Sequence, residues 1–437
     1  MVIILLKVVE VCSRVEGHGN VNLYLNNQHD EISHVDFEIR AYRGFENILI
    51  GKKLVDIPKI ASRICGLCHA SQSIVSCKTI ESIYDLEPSD RTVLLRKILL
   101  AGELIKSHSM HFFFQAFPDL LKIFNIKQGY PSLYELINYN PQLTTNFYEL
   151  IKIGNDIDKI FGGRSVHLIS SIPGGMIYFP SRKNITMTRK YVQKAILNLE
   201  WIIEKFIELF STQIPPIEFE LPNLTYFGLH NHGTYDRYTG IFGMKQNSQK
   251  AVNFLTKNYS TYFDKDIDLR GINFENEENI LVGPLARNRI IERYPSDEVS
   301  NYLSYFDKQW HTNLLFTNFL RLIEMYVESH QILEILEDPT LDNKEVLPVL
   351  KSKKNNEGIG VLEAPRGTLM HHYYINGNNS IAKVKLFIAT EINIPIINEM
   401  ITDYAQKLYE KQDINTVKEE IQVMIRAFDP CISCATH

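Results

Sequence analysis

Residues 63–68 read Arg-Ile-Cys-Gly-Leu-Cys, and residues 429–434 read Asp-Pro-Cys-Ile-Ser-Cys. In each stretch two residues separate the cysteines, so both sulfur atoms can face one ion from a single turn of chain. Four such thiolates can hold a soft or borderline metal, and by spacing alone they favour structural zinc or an iron–sulfur cluster. Structural zinc modules are compact, whereas almost the entire chain lies between these pairs. Because the pairs can meet only if the chain ends come together, we expect one interlocked domain over residues 1–437.

The composition is that of an ordinary globular protein. The chain has 437 residues, 45% of them hydrophobic and 22% charged, with a net charge of −5. This mild acidity gives no general attraction to nucleic acid or to an anionic membrane. The 23 Phe and 22 Tyr residues require burial, which excludes a disordered chain. Four of the six cysteines lie in the two pairs, and in a reducing compartment that usage favours metal or redox chemistry over disulfide bridges.

No apolar run approaches the roughly 20 residues that a membrane-spanning helix requires. The apolar start of the chain, residues 1–6, is interrupted by Lys7 and is too short for the apolar core of a signal peptide. We therefore expect a cytoplasmic protein without a membrane span.

Alternating polarity predicts two hairpins. Within residues 1–40, apolar residues alternate on either side of a polar turn. Two further extended runs, 370–375 and 382–390, flank Asn376-Gly377, which predicts a second hairpin with a loop longer than two residues. The polar stretch 339–358 is interpreted as a surface loop.

Helical periodicity dominates the rest of the chain. Ser89 or Asp90 can cap a helix that ends before Pro118. Apolar steps of three and four residues predict long, buried helices at 190–210 and 308–336, and a last helix is expected to begin near Pro395. The fold class predicted is α+β, mostly α, with long buried helices and peripheral β-hairpins.

Further short motifs accompany the cysteine pairs, and with them the chain closely resembles the large, catalytic subunit of nickel–iron hydrogenases. The resemblance extends over essentially the whole chain and implies the fold of that subunit. Each short string is weak evidence alone, but both cysteine motifs, in order and at the expected ends, are very specific. The motifs are residues 14–18, 43–46, 63–68, 107–108, 111–112, 118–120, 173–175, 283–287, 363–367 and 429–437.

The resemblance assigns roles to the four cysteines. Cys65 and Cys431 would be terminal nickel thiolates, whereas Cys68 and Cys434 would bridge nickel to an iron that carries carbon monoxide and cyanide. Thiolates are soft donors that suit nickel, and two bridging sulfurs hold the metals close together. Such a Lewis-acidic pair polarises dihydrogen while a nearby base accepts the proton.

Three further residues gain roles from the resemblance. Glu16 would relay protons away from a nickel thiolate, a task that suits a buried carboxylate; outside the family context it would be an exposed strand-end acid. Arg366 would place its guanidinium over the site as an electrostatic and hydrogen-bonding group, where without the family match a surface ion pair would be the simpler interpretation. Asp119 is expected to orient Arg366 or a neighbouring group.

A second, smaller metal site is also implied near the C-terminus. Glu46 and His437 resemble the ligands of magnesium, or of a similar ion such as iron, together with a backbone carbonyl from residues 384–390. Magnesium prefers oxygen ligands and retains waters, so a single imidazole is tolerable but unusual.

At one position the chain departs from the family pattern. The family usually has histidine four residues after the second cysteine, where it donates a hydrogen bond to the bridging sulfur, and here that residue is Gln72. Glutamine can donate through its amide but cannot carry a proton onward. The hydrogen-sensing members of the family share this glutamine.

The expected activity is reversible cleavage of H2 to protons and electrons. With both thiol pairs used at the metal centre, the chain should carry no iron–sulfur cluster, because such clusters need about four thiolates each. The electrons would pass to an iron–sulfur small subunit. Two motifs, residues 363–372 and 429–437, are similar to those of the cytoplasmic archaeal branch of the family. Within that branch they most resemble the F420-non-reducing enzymes, which serve heterodisulfide reductase or ferredoxin through a third electron-transfer subunit.

Other functions are also compatible with the sequence. Within the family, the chain could be an F420-reducing hydrogenase alpha subunit or an H2-sensing regulatory subunit, and turnover rate and partner would separate these. A structural relic of the kind found in respiratory complex I is disfavoured by the four intact cysteines, and a zinc-stabilised helical protein by the number of motifs.

Overall fold

The computed structural model describes residues 6–26, 31–39, 44–246, 252–261, 279–344, 347, 350 and 353–436. Helices predominate in these residues. None of the described helices combines the length and the apolar character needed to cross a bilayer. The α-helices are α1 (Phe45–Leu49), α2 (Ile57–Ala61), α3 (His69–Tyr84), α4 (Asp90–His111), α5 (Phe117–Ile123), α6 (Leu133–Tyr139), α7 (Pro141–Gly162), α8 (Arg182–Phe210), α9 (Pro284–Ile290), α10 (Asp297–Ser304), α11 (Lys308–His311), α12 (Phe316–Glu337), α13 (Ala389–Tyr409), α14 (Ile414–Phe428) and α15 (Ile432–Ala435).

The described strands form small sheets ordered β1-β2-β3, β4-β5, β8-β7-β6-β9 and β10-β11-β12. Paired strands are antiparallel except for β6 and β9, which run parallel. The predicted mostly helical α+β fold is confirmed. The strands are β1 (Leu6–Val11), β2 (Gly19–Leu25), β3 (Ile32–Ile39), β4 (Ser171–Ile172), β5 (Gly175–Met176), β6 (Thr225–His230), β7 (Ile241–Gln246), β8 (Val252–Phe254), β9 (Ile280–Leu281), β10 (Glu357–Ala364), β11 (Gly367–Ile375) and β12 (Ile381–Phe387).

Serine caps set the starts of two long helices. Ser89 Oγ accepts a hydrogen bond from Thr92 N (3.1 Å) at the start of α4, as the sequence predicted. Ser181 does the same for α8 by accepting from Asn184 N (3.2 Å). The helix expected at 190–210 therefore begins two turns earlier, because the cap lies upstream of the apolar repeat that revealed it.

The helix predicted at 308–336 is broken between α11 and α12. Leu314 N donates to Phe219 O (2.8 Å), and the Asn313 side-chain amide donates to Pro216 O (2.8 Å). These bonds to the segment before β6 turn the chain, and a new helix begins at Phe316. Tertiary hydrogen bonds override the local helical periodicity here.

The sheet β10-β11-β12 is packed closely against α3. A Cβ added to Gly360 would lie 2.5 Å from Val75 O and from Thr79 N, so this strand fits only because the residue has no side chain. β10 begins at Glu357, at the end of the stretch predicted to be loop, and residues 376–380 form the longer loop expected between β11 and β12. The last predicted helix begins at Ala389 and carries Pro395 in its second turn. This packing brings the β10-β11 turn next to the residues that precede α3.

Candidate metal centre

The four paired cysteines come together at one buried point. Cys431 Sγ lies 3.4 Å from Cys65 Sγ, 4.0 Å from Cys68 Sγ and 2.8 Å from Cys434 Sγ. All four sulfur atoms lie within 4.8 Å of one another, and all four residues are buried. The two cysteine pairs, with 363 positions between Cys68 and Cys431, therefore meet at one site. Four soft donors and no carboxylate in the set fit a soft or borderline metal better than a hard one.

Local backbone structure aims each pair inward. Cys68 is the N-cap residue of α3, and Cys65 Sγ accepts a hydrogen bond from Leu67 N (3.3 Å), which folds the first pair into a tight turn. The second pair follows Asp429, whose φ of 55° ends α14 in the left-handed region. Cys431 N then donates to Thr390 Oγ1 (2.9 Å) at the start of α13.

The thiol cluster favours one ionised sulfur. Hydrogen bonds from Cys431, Cys434 and Cys68 hold the pKa of Cys65 well below its usual value, and Arg366 lowers it further. Burial raises the pKa values of Cys431 and Cys434 well above the usual value. Within the set, Cys65 is thus the thiol whose pKa is shifted towards the thiolate, the form of cysteine that binds metals.

Glu16 lies against the second cysteine pair. Its carboxylate Oε2 accepts hydrogen bonds from Cys431 Sγ (3.3 Å) and from Ser433 N (3.0 Å), and its carbonyl oxygen accepts from Ile432 N (3.1 Å). The residue is half-buried, between the sulfur atoms and the surface. Gly17 permits this approach, because its φ is +89° and an added Cβ would lie 2.8 Å from Ile432 Cβ.

Arg366 reaches the cluster from the two-residue turn between β10 and β11. Its Nη1 donates to Cys68 Sγ and to Ser107 Oγ, both at 3.3 Å. Nε donates to Asp429 O (2.9 Å), and Nη2 forms an ion pair with Asp429 Oδ1 (3.0 Å). The guanidinium is buried, so one fixed positive charge faces the thiolates.

Arg287 supports that turn, a role that sequence reasoning missed. Its guanidinium donates to Pro365 O (3.0 Å) and Ala364 O (3.1 Å), directly before Arg366. It also forms buried ion pairs with Glu324 (2.6 Å) and Glu363 (2.9 Å). The motif at 283–287 was the available signal, but the motif alone does not identify its partners.

The expectation that Asp119 orients Arg366 is wrong. Asp119 pairs with Arg14 and with Arg426 (2.6 Å), whereas Asp429 is the carboxylate that contacts Arg366. Asp429 is the left-handed residue that ends α14. Its proximity to Arg366 depends on tertiary packing, which the sequence does not show.

Gln72 lies one turn into α3 and contacts a buried histidine. Its Oε1 accepts a hydrogen bond from His371 Nε2 (2.9 Å), while His371 Nδ1 accepts from Tyr373 OH (2.6 Å). Burial lowers the pKa of His371 to about 3, so the imidazole is neutral. This neutral tautomer fixes the side chain of the residue that replaces the usual histidine.

The second predicted metal site is described only in part. Glu46, in the first turn of α1, accepts a hydrogen bond from Leu386 N through Oε1 (2.8 Å). The carboxylate thus lies beside the strand that was expected to supply a backbone carbonyl. His437 and Arg43 lie outside the described residues.

Comparisons with known proteins agree with this geometry. The model of the nickel-dependent hydrogenase family matches residues 43–133 and 276–437. A vhc-type F420-non-reducing hydrogenase protein of Methanococcus voltae is 28% identical, over 98% of this chain and 94% of its own length. The beta chain of the NAD-reducing hydrogenase HoxS of Cupriavidus necator is 24% identical over the same shares. A crystal structure of an NAD+-reducing NiFe-hydrogenase in the H2-reduced state superimposes with a TM-score of 0.91 at 25% identity, covering 99% of each chain.

Proposed function

The chain belongs to the nickel-dependent hydrogenase family as a large, catalytic subunit, and from that premise we propose the roles of its site residues. Cys65 and Cys431 would hold nickel, and Cys68 and Cys434 would hold both nickel and an iron that carries carbon monoxide and cyanide. The observation that supports this assignment is the gathering of four buried sulfur atoms within 4.8 Å, with Glu16 and Arg366 both in contact with them.

When bound, the metal pair supplies the Lewis acidity that polarises dihydrogen and accepts its two electrons. The residues of this chain accept the protons and stabilise the negative charge of the thiolates. Breaking the H–H bond yields two protons for the two electrons, and Cys431 takes each proton in turn on sulfur and passes it to Glu16. In each transfer the S–H bond breaks and an O–H bond forms on Oε2, which lies 3.3 Å away. Because Glu16 is half-buried, it can release that proton towards solvent.

Arg366 remains protonated throughout, because guanidinium pKa values exceed 12. Its buried charge, fixed by Asp429 and by the Arg287-supported turn, stabilises negative charge on the thiolates without any reorganisation. This role is electrostatic and orienting, not that of a base.

The electrons leave through a partner. Cys12 and Cys77 lie outside the cluster, and burial raises the pKa of each to about 12, so they behave as small apolar side chains. A separate iron–sulfur small subunit therefore receives the electrons. The first cysteine pair lies just beneath the surface, where Arg63, Gly66 and Val166 are exposed. This face gives a partner's cluster a short route to the metal centre.

We further propose a place in the cytoplasm and a third electron-transfer subunit that serves heterodisulfide reductase or ferredoxin. The names of two relatives, both F420-non-reducing hydrogenase proteins, favour an enzyme that does not reduce F420. An F420-reducing alpha subunit is the alternative enzyme. An H2-sensing subunit is the second candidate function, and Gln72, held by His371, is the observation in its favour. Glu46, a backbone carbonyl from residues 384–390 and His437 are proposed to hold magnesium or a similar ion.

The test uses the chain purified with its co-expressed partners. H2-dependent reduction of a viologen dye measures turnover, and ferredoxin and F420 are then compared as acceptors. Rapid turnover with ferredoxin and none with F420 supports the proposal. Reduction of F420 supports the alternative enzyme, and turnover that stays very slow with every acceptor supports the sensor.

A further inference from the structure

We propose that Asp119 is a positioning residue that holds Glu16 against Cys431. The inference rests on the proposed function, in which a proton passes from Cys431 to Glu16, and it assigns to Asp119 the geometry of that transfer. Asp119 touches neither residue and acts through two arginines.

The Asp119 carboxylate joins three segments of the chain. Arg426 of α14 donates to both of its oxygens, from Nε to Oδ2 (2.6 Å) and from Nη2 to Oδ1 (3.0 Å). Arg14, in the loop between β1 and β2, donates from Nη2 to Oδ1. Asp119 itself belongs to α5 and is buried, as is Arg426. One negative charge therefore compensates two guanidinium groups at the same point.

The loop that carries Arg14 is also hydrogen-bonded to α14 through the backbone of Ser13. Arg426 Nη1 donates to Ser13 O (3.3 Å), and Ser13 N donates to Gln422 Oε1 (2.9 Å). Arg14 has a φ of 55°, a left-handed conformation that is unfavourable for a residue other than glycine. A strained conformation of this kind persists when surrounding contacts determine it, and the ion pair between Asp119 and Arg14 is one such contact.

Both partners of the proton transfer follow directly from these anchored residues. Glu16 lies two residues after Arg14, and Cys431 lies five residues after Arg426. The contact between Cys431 Sγ and Glu16 Oε2 is 3.3 Å, already at the long end for proton transfer. A displacement of about 1 Å can slow an enzyme by around 100-fold.

Loss of the Asp119 charge leaves two guanidinium groups facing each other without compensation. The Arg14 side chain, the more exposed of the two, is then displaced towards solvent and takes its loop with it. In the step itself, the S–H bond of Cys431 breaks and an O–H bond forms on Glu16, with no other reactant. A longer and more variable distance slows this step alone.

The experiment is Asp119→Asn in the assembled hydrogenase, with turnover measured in H2O and D2O. We expect kcat for H2 oxidation to fall at least about tenfold, while the KM for H2 and the nickel content stay unchanged. The solvent isotope effect on kcat should rise, because proton transfer becomes rate-limiting. A structural defect alone would lower the nickel content or the stability without raising that isotope effect, and this result would overturn the proposal.

Arg14→Gln provides a second variant in case Asp119→Asn fails to assemble, since it releases the loop and leaves the Asp119–Arg426 pair intact. It should raise the solvent isotope effect in the same direction, and an unchanged isotope effect would overturn the proposal. Glu81→Gln is the matched control: Glu81 forms an equally buried pair with Arg96 (2.6 Å). It lies 13 residues along α3 from Cys68, about 20 Å at 1.5 Å per residue. We expect no change in its isotope effect.

Glu16→Gln separates the two levels of the argument. If this variant keeps full turnover, the proton relay itself is wrong. If it loses turnover while Asp119→Asn and Arg14→Gln keep the normal isotope effect, the relay survives and only the positioning role of Asp119 is wrong.

Discussion

The Sγ atom of Cys431 lies 3.3 Å from Oε2 of Glu16, although 415 positions separate the two residues in the chain. The contact is reinforced by the backbone, because Ile432 N and Ser433 N both donate to Glu16. A carboxylate held in this way beside a thiol of the proposed metal centre is placed to accept a proton from it. The proposed mechanism depends on this single relationship.

Glu16→Gln tests the relay. Glutamine preserves the size of the side chain and can still accept from Ser433 N, but it cannot take up a proton. We expect H2 oxidation to fall by about 10²–10⁴-fold, as for loss of a general base. Nickel and iron contents should be unchanged. Viologen reduction under H2 measures the activity, and activity within a few-fold of the unmodified enzyme would show that protons leave by another route.

Arg366→Lys tests the fixed charge over the site. One ammonium cannot reach Cys68 Sγ, Asp429 O and Asp429 Oδ1 together, as the guanidinium does. We predict retained metal and a loss of about 10²–10³-fold in kcat, typical of a lost electrostatic contact in an active site. Arg96→Lys, at a buried arginine outside the site, is the control. Equal losses in both variants would mean that Arg366 only supports the fold.

Alanine at Cys65, Cys68, Cys431 or Cys434 should each abolish nickel binding, because three thiolates leave a terminal or bridging position empty. Cys77→Ala should keep its nickel, since that buried thiol lies outside the cluster. Elemental analysis of the five purified variants decides the matter. Normal nickel content in any of the four cluster variants would remove that cysteine from the ligand set.

The stability of the fold should decrease on mild acidification. Burial lowers the pKa of His371 to about 3, while an unfolded chain binds this proton near pH 6.5. Between those values the unfolded state holds more protons, so the free energy of unfolding is highest above pH 6.5 and falls as pH decreases, by up to about 1.4 kcal/mol per pH unit for this group. Urea unfolding between pH 7.5 and 5 measures the slope. His371→Asn should flatten it, and an identical slope in the variant would refute this account.

The sequence predicted which cysteines share one site better than it predicted what surrounds them. The cysteine pairs carry their own spacing, and the resemblance placed Glu16 and Arg366 beside them. By contrast, nothing near Arg366 in the chain indicates that Asp429 would pair with it. That contact exists because α14 ends in a left-handed turn beside the β10-β11 hairpin, and such contacts depend on tertiary packing.

The same limit applies to the secondary structure. Ser89 correctly predicts where α4 begins, because an N-cap is a local sequence signal. Gly358 and Gly360 gave no comparable signal for β10, since each is needed only because α3 packs within 2.5 Å of where a Cβ would lie. The turn before α12 was likewise fixed by bonds to residues about 100 positions away.

The most direct test of the central claim is the metal content of the chain purified with its partner, combined with infrared spectroscopy between the protein and water bands. The account predicts about one nickel per chain, together with iron whose carbonyl and cyanide stretches appear in that window. Zinc alone, with no such stretches, would contradict it and would leave the four cysteines a structural site.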